Sequence, residues 1–153
     1  MTQSGSKKIV LFDVDGTLID HDNRLIFLLT EPKNEKAFRA GSVKDPAIPQ
    51  ILSIAEMMCA SEDYIVLIVT ARSESARFHT DAWMKFKRVY YDELIMKKNG
   101  DKRSDDKVKR DHLRYIREKY GNPFMVFDDR DKVNQMWVEE GVYLLDVSQK
   151  RIL

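Results

Sequence analysis

Near its start the chain carries an apolar run, KKIVLFDVDGTLID, straight into two aspartates, Asp13 and Asp15, followed by Gly16 and Thr17. A second acidic pair, Asp128 and Asp129, ends the run FMVFDD. Carboxylates gathered without counter-charge repel one another and favour their protonated forms, so a bound hard cation is the simplest neutraliser. Mg²⁺ suits such a set, because it takes one or two carboxylates, keeps waters and bridges to phosphate. Two other stretches supply what a phosphoryl group needs: YIVLIVTAR brings Thr70 with Arg72 two residues on, and RSDDKVKRDHL brings Lys109. A hydroxyl donor, a fixed ammonium and several carboxylates can together hold and attack phosphorus. Either acidic pair alone also suits a strand end, a helix cap or a turn, Asp-Gly being a turn signal in its own right.

The elements that must position these groups can be read from periodicity. Short apolar runs predict strands over residues 9–15, 64–70, 93–98, 124–129 and 142–146. Between them, apolar residues three or four apart predict helices over 46–60, 73–88, 104–120 and 130–140. Asp45-Pro46 and Ser73-Glu74 read as helix starts, and Gly121 and Gly141 as left-handed stops. Alternation of nearly continuous apolar strands with helices predicts an α/β fold: one doubly wound, mostly parallel sheet covered on both faces. Ligands bind such sheets beyond the carboxyl ends of the strands, which is where both acidic pairs fall. Asp13 and Asp15, two apart, would face one ligand together if the first strand stays extended through them.

Composition sets bounds rather than a function. A chain of 153 residues with 43% hydrophobic content predicts one domain over 1–153, with 1–6 as a tail. The 26 basic and 25 acidic side chains nearly cancel, so any electrostatic message is local. Residues 83–120 do hold 13 Lys or Arg against 7 Asp or Glu, interleaved with Trp83, Tyr90 and Tyr91. That pattern fits either a groove for a single strand of nucleic acid or an ordinary solvated helix face with Trp83 in the core. The lone Cys59 reads as a buried thiol, and His21, His79 and His112 lack metal-ligand spacing. No run approaches the roughly 20 apolar residues of a membrane span, and MTQSGSKK has no secretion-signal core, so a cytoplasmic protein is expected.

The ordered set Asp13-Val-Asp15-Gly-Thr17, Thr70, Lys109, Asp128-Asp129 resembles the haloacid dehalogenase-like phosphohydrolase superfamily, over Ile9 to Asp129. Within it, DVDGTL with Arg24 following, TARSES, YDELIMKKNGDKRSDDKVK and FDDRDKVNQMW are most similar to the 3′-phosphatase domain of phage and bacterial polynucleotide kinase-phosphatases. No G-x-x-x-x-G-K-[ST] loop occurs, so no kinase half is expected in this chain. The resemblance implies Asp13 as the nucleophile that takes the phosphoryl group and Asp15 as the acid and base. It implies Mg²⁺ held by the Asp13 carboxylate, the Asp15 backbone carbonyl and Asp128, with Asp129 supporting the metal or its waters. Thr70 and Lys109 would contact the phosphoryl group, Asp105 would position Lys109, and Thr17 would shape the site. Arg24 and Arg72 would take the substrate, as guanidinium forks suit phosphate oxygens.

The implied activity is Mg²⁺-dependent removal of 3′-phosphate from DNA or RNA ends, and from nucleoside 3′-monophosphates, with a separate kinase or ligase as partner. Only about thirty residues separate DVDGTL from the helix near Pro46, which leaves room for a small flap from LIFLLTEPKNEKAFRAGSVKD but not for a lid domain. A minimal cap suits a polymer end, in the host cytoplasm if the chain is phage-encoded. The alternatives are a nucleotidase or small-metabolite phosphatase on the same scaffold and, more remotely, a signalling receiver or an end-binding module. In receivers an acidic pair comes first, the phosphoacceptor later and the lysine last, whereas here Asp-x-Asp-Gly-Thr comes first and an acidic pair follows the lysine.

Overall fold

The computed structural model describes residues 5–20 and 45–149. Five strands and four helices alternate: β1 (Lys8–Phe12), α1 (Pro49–Ala60), β2 (Tyr64–Ser73), α2 (Arg77–Phe86), β3 (Glu93–Lys97), α3 (Asp105–Lys119), β4 (Met125–Asp128), α4 (Asp131–Glu139) and β5 (Leu144–Asp146). All four strand pairings are parallel, in the order β3-β2-β1-β4-β5.

Both faces of β1 are buried, and its alternating side chains feed two cores. Val10 and Phe12 pack with Ala55 of α1 and Trp83 and Met84 of α2. Ile9 and Leu11 pack with Leu113 and Ile116 of α3 and Val133 and Trp137 of α4. The chain therefore winds outward from β1 to β3 under one pair of helices, then crosses back to β4 and β5 under the other. Right-handed crossovers require that change of face when the direction reverses. The reversal leaves a crevice where β1 and β4 lie side by side, with Phe12 stacked on Phe127 at a centroid distance of 4.5 Å.

Several boundaries differ from the sequence expectation. β1 ends at Phe12 rather than running through Asp15. The Val14 carbonyl accepts from the backbone N–H groups of Thr17, Leu18 and Ile19, and Gly16 takes φ +84°, so the chain turns sharply after Asp13. α1 begins at Pro49, not near Pro46, because the residue before a proline is disfavoured in helical conformation and Ile48 is extended. Ala47 instead bridges Ile19, which ties the start of α1 to the turn after β1.

β2 continues past Thr70 to Ser73, with a shift in its pairing to β3 between Val69 and Ser73. The predicted helix from 73 is divided into a 3₁₀ turn at Glu74–Ala76, capped by the Ser73 side chain, and α2. Gly141 stops α4 as expected: its N–H donates to the Val138 carbonyl and that of Val142 to the Trp137 carbonyl. α2 uses the same closure with Arg88 in the left-handed position, at φ 63°.

Candidate active site

α3 carries its lysine on the apolar stripe. Lys109, Leu113 and Ile116 fall at i, i+4 and i+7, so the helix face that packs on the sheet also drives Lys109 inward, to 1% exposure. Its Nζ donates to Asp13 Oδ1 and to Asp128 Oδ2, both at 2.7 Å. Asp13 sits just beyond β1, its backbone N–H still bound to the Phe127 carbonyl, and its Oδ2 accepts from Thr17 Oγ1 at 3.1 Å. Asp128 ends β4 and is fully buried. Its Oδ2 also accepts from Trp137 Nε1 at 3.1 Å, and its Oδ1 from the Asp129 backbone N–H at 2.8 Å. Two carboxylates are thus held by one ammonium, one hydroxyl, one indole and two backbone amides, those of Asp129 and Arg130, away from water.

Asp129 completes the cluster. Oxygens of Asp13, Asp128 and Asp129 lie within 4.8 Å of one another. Asp129 packs on the turn after β1 so closely that a Cβ on Gly16 would meet Asp129 Oδ2 at 2.0 Å. Only glycine fits there, on spacing as well as on φ. Burial, then the charge of Asp128, raises the Asp13 pKa well above the ordinary carboxylate range, with Lys109 opposing. Burial likewise raises that of Asp129. For Lys109 burial acts to lower the pKa, but the two carboxylates outweigh it and the net shift is upward. Asp129 Oδ1 is buried without a hydrogen-bond partner among the described residues. Three close carboxylates, all hard oxygen donors and one of them unsatisfied, are a set that Mg²⁺ fits.

A second constellation adjoins the first. Arg72, in the irregular stretch of β2, forks onto Asp15 through Nε at 2.8 Å and a second nitrogen at 2.6 Å. Its remaining terminal nitrogen donates to Thr80 Oγ1 of α2 at 3.0 Å. Thr70 is buried, and its Oγ1 accepts from the Arg72 backbone N–H at 3.0 Å. Asp13 and Asp15 therefore point to different partners, as the turn between them requires.

Of the residues singled out in the sequence, Asp13, Thr17, Lys109, Asp128 and Asp129 come together, and Asp15, Thr70 and Arg72 form the flank. Asp105, one turn before Lys109, pairs with Arg130. Arg24 and His21 lie outside the described residues, as does all of the expected flap except Asp45. Part of the basic segment is taken up in surface pairs: Arg103 with Asp101 and Asp111, Arg110 and Arg117 with Glu140, Lys119 with Glu93. Trp83 is a core residue whose Nε1 donates to the Asp45 carbonyl, not an exposed stacking surface. Cys59 is half-buried, and burial pushes its thiol up to about 11. Among the described residues no helix is long and apolar enough to cross a membrane.

Sequence reasoning missed three supports of this site: Trp137, Asn134, whose side chain donates to the Asp128 carbonyl at 3.3 Å, and Thr80. The signal for Trp137 was available, since a buried indole N–H needs an acceptor and α4 starts directly after the acidic pair.

Residues 7–151 match the family described as the polynucleotide kinase PNKP phosphatase domain. No curated protein sequence matches the chain. Among solved structures, that of a Pnkp1/Rnl/Hen1 complex superposes with a TM-score of 0.72 at 21% identity, covering 94% of this chain and 47% of that one. A haloacid dehalogenase-like hydrolase from Streptococcus pneumoniae superposes with a TM-score of 0.65 at 16% identity, covering 92% and 84%. The chain thus spans about half the length of the chain it resembles in that complex.

Proposed function

Because the chain belongs to the polynucleotide kinase PNKP phosphatase domain family, we propose that it is a Mg²⁺-dependent phosphatase that removes 3′-phosphate from nucleic-acid ends and leaves a 3′-hydroxyl for sealing or extension. The observation that carries this reading is Asp13: a buried carboxylate aimed by Lys109 and Thr17, with Asp128 and Asp129 gathered against it.

In the first step a carboxylate oxygen of Asp13 bonds to phosphorus as the bond from phosphorus to the nucleoside 3′-oxygen breaks. Asp15 gives that oxygen its proton, its carboxyl direction set by the Arg72 fork. In the second step Asp15 takes a proton from water, the water oxygen bonds to phosphorus, and the bond to Asp13 breaks to release inorganic phosphate. Lys109 and Thr70 would steady the charge on the phosphoryl oxygens. Asp13, Asp128 and the Asp15 backbone carbonyl would hold Mg²⁺, with Asp129 behind them, and the cation would cancel the repulsion between an anionic nucleophile and an anionic target. In this reading Arg24 and Arg72 would contact the substrate, Arg72 while its fork also orients Asp15. A kinase or ligase would supply the neighbouring steps of end repair.

The test is phosphate release with Mg²⁺ from matched oligonucleotides carrying a 3′- or a 5′-phosphate, beside free 3′- and 5′-nucleotides and an EDTA control. Preference for the 3′-phosphorylated oligonucleotide is expected. Preference for free 5′-nucleotides would keep the catalytic assignment and discard end repair, and no release from any substrate would discard both.

A further inference from the structure

A cleft of about 560 Å³ opens beside the carboxylate cluster, with Gly16 and Asp129 at its inner end. One wall is the start of α1, where Ile48 and Ile51 face the cleft, and the other is the chain leaving β5, at Val147. Backbone hydrogen bonds fasten one wall to the turn after β1 and the other to the end of β4. The Ile48 N–H donates to the Leu18 carbonyl at 2.8 Å, and the Val147 N–H to the Asp128 carbonyl at 3.0 Å. The cleft is therefore fixed relative to the same turn and strand end that hold Asp13 and Asp128.

Its chemistry selects the kind of group it can take. No lysine or arginine is among its described lining residues, and Asp129 at the cleft is acidic, so this lining offers no cation to a second phosphate. Apolar side chains on two sides, with the amides of Gln50 and Gln149 at the rim, suit a flat neutral ring that carries hydrogen-bonding edges. Its volume falls within the ordinary range of small-ligand sites, roughly 300–1,000 Å³, and exceeds what a lone phosphate needs.

We propose that this cleft holds the terminal nucleoside of the substrate, with its base between Ile48 and Ile51 on one side and Val147 on the other, and Gln50 and Gln149 meeting the base edge. This rests on the phosphatase reading and adds to it that the enzyme recognises the last base, not only the phosphate and the backbone behind it. A terminal nucleotide would have to leave its duplex to enter, so unpaired 3′ ends are the form that binds.

The experiment compares kcat/KM for oligonucleotides with the same 3′-phosphate on a normal terminal nucleotide and on a stable abasic sugar, in the wild-type protein and in Ser148→Trp. That substitution places a large ring at the cleft wall. The wild type is expected to favour the base-bearing end by roughly tenfold or more, and the ratio should fall towards one in the variant. Equal rates on the two ends in the wild type, with phosphate still released, would overturn the cleft assignment and leave the phosphatase reading standing. A wild-type preference that Ser148→Trp leaves intact would also overturn it. No release from any oligonucleotide would overturn the phosphatase reading, and this inference with it.

Discussion

Lys109→Met keeps the reach of the side chain and removes its charge. The lost ammonium lies 2.7 Å from Asp13 and 2.7 Å from Asp128, and the side chains are 2%, 7% and 0% exposed respectively. Water cannot replace it there, so the variant leaves carboxylate charge buried and uncompensated. Removing one partner of a buried pair destabilises by about 3–5 kcal/mol, set against a total stability of about 5–15 kcal/mol for an ordinary domain. The variant should still fold. With a urea dependence of about 2 kcal/mol per molar, its unfolding midpoint in EDTA should drop by roughly 2 M at neutral pH.

The pH dependence gives the sign. Asp13 has a folded pKa above its unfolded one, so its contribution to stability is most favourable in acid and is lost as pH rises through the folded value. Lys109 opposes that upward shift, so its removal extends the shift further. The gap between variant and wild type should therefore be widest near neutrality and narrow on acidification towards the ordinary carboxylate range. Adding Asp128→Asn to the variant should recover about 0.5–3 kcal/mol, as expected for residues in direct contact. A loss under about 1 kcal/mol at neutral pH, against the 3–5 expected, or a gap that widens in acid, would refute the reasoning.

Two further substitutions test local geometry. Gly16→Ala should strain a backbone at φ +84° and push a methyl group into Asp129, lowering phosphate release at least tenfold by about 1.4 kcal/mol or more, with a lower melting temperature; unchanged kinetics would detach Asp129 from the reaction. Arg88→Gly should relieve the left-handed residue that closes α2 and raise the melting temperature by about 2 °C, read by thermal unfolding.

The fold was legible because its signals are local. Each strand is a continuous apolar run, and the buried stripe of α3 announces its own face, Lys109 included. The carboxylate cluster was legible for the same reason: acidic pairs at strand ends in a parallel sheet must converge on one edge. Two features lay beyond local pattern. The close packing of Gly16 against Asp129, beside the turn after Asp13, joins residues more than a hundred apart in the chain. The Arg72 fork on Asp15 joins residues 57 apart, from a stretch of β2 whose shifted pairing no periodicity marks. The start of α1 was legible in principle, since Pro49 is a better first helical residue than Pro46 once Ala47 is known to bridge Ile19.

The most direct test of the central claim is a rapid acid quench of the protein with Mg²⁺ and an oligonucleotide radiolabelled in its 3′-phosphate, followed by peptide mapping. A hydroxylamine-labile label is expected on the peptide that contains Asp13, formed before steady-state release and absent from Asp13→Asn. Turnover with no label on that peptide, or near-wild-type turnover in Asp13→Asn, would contradict it.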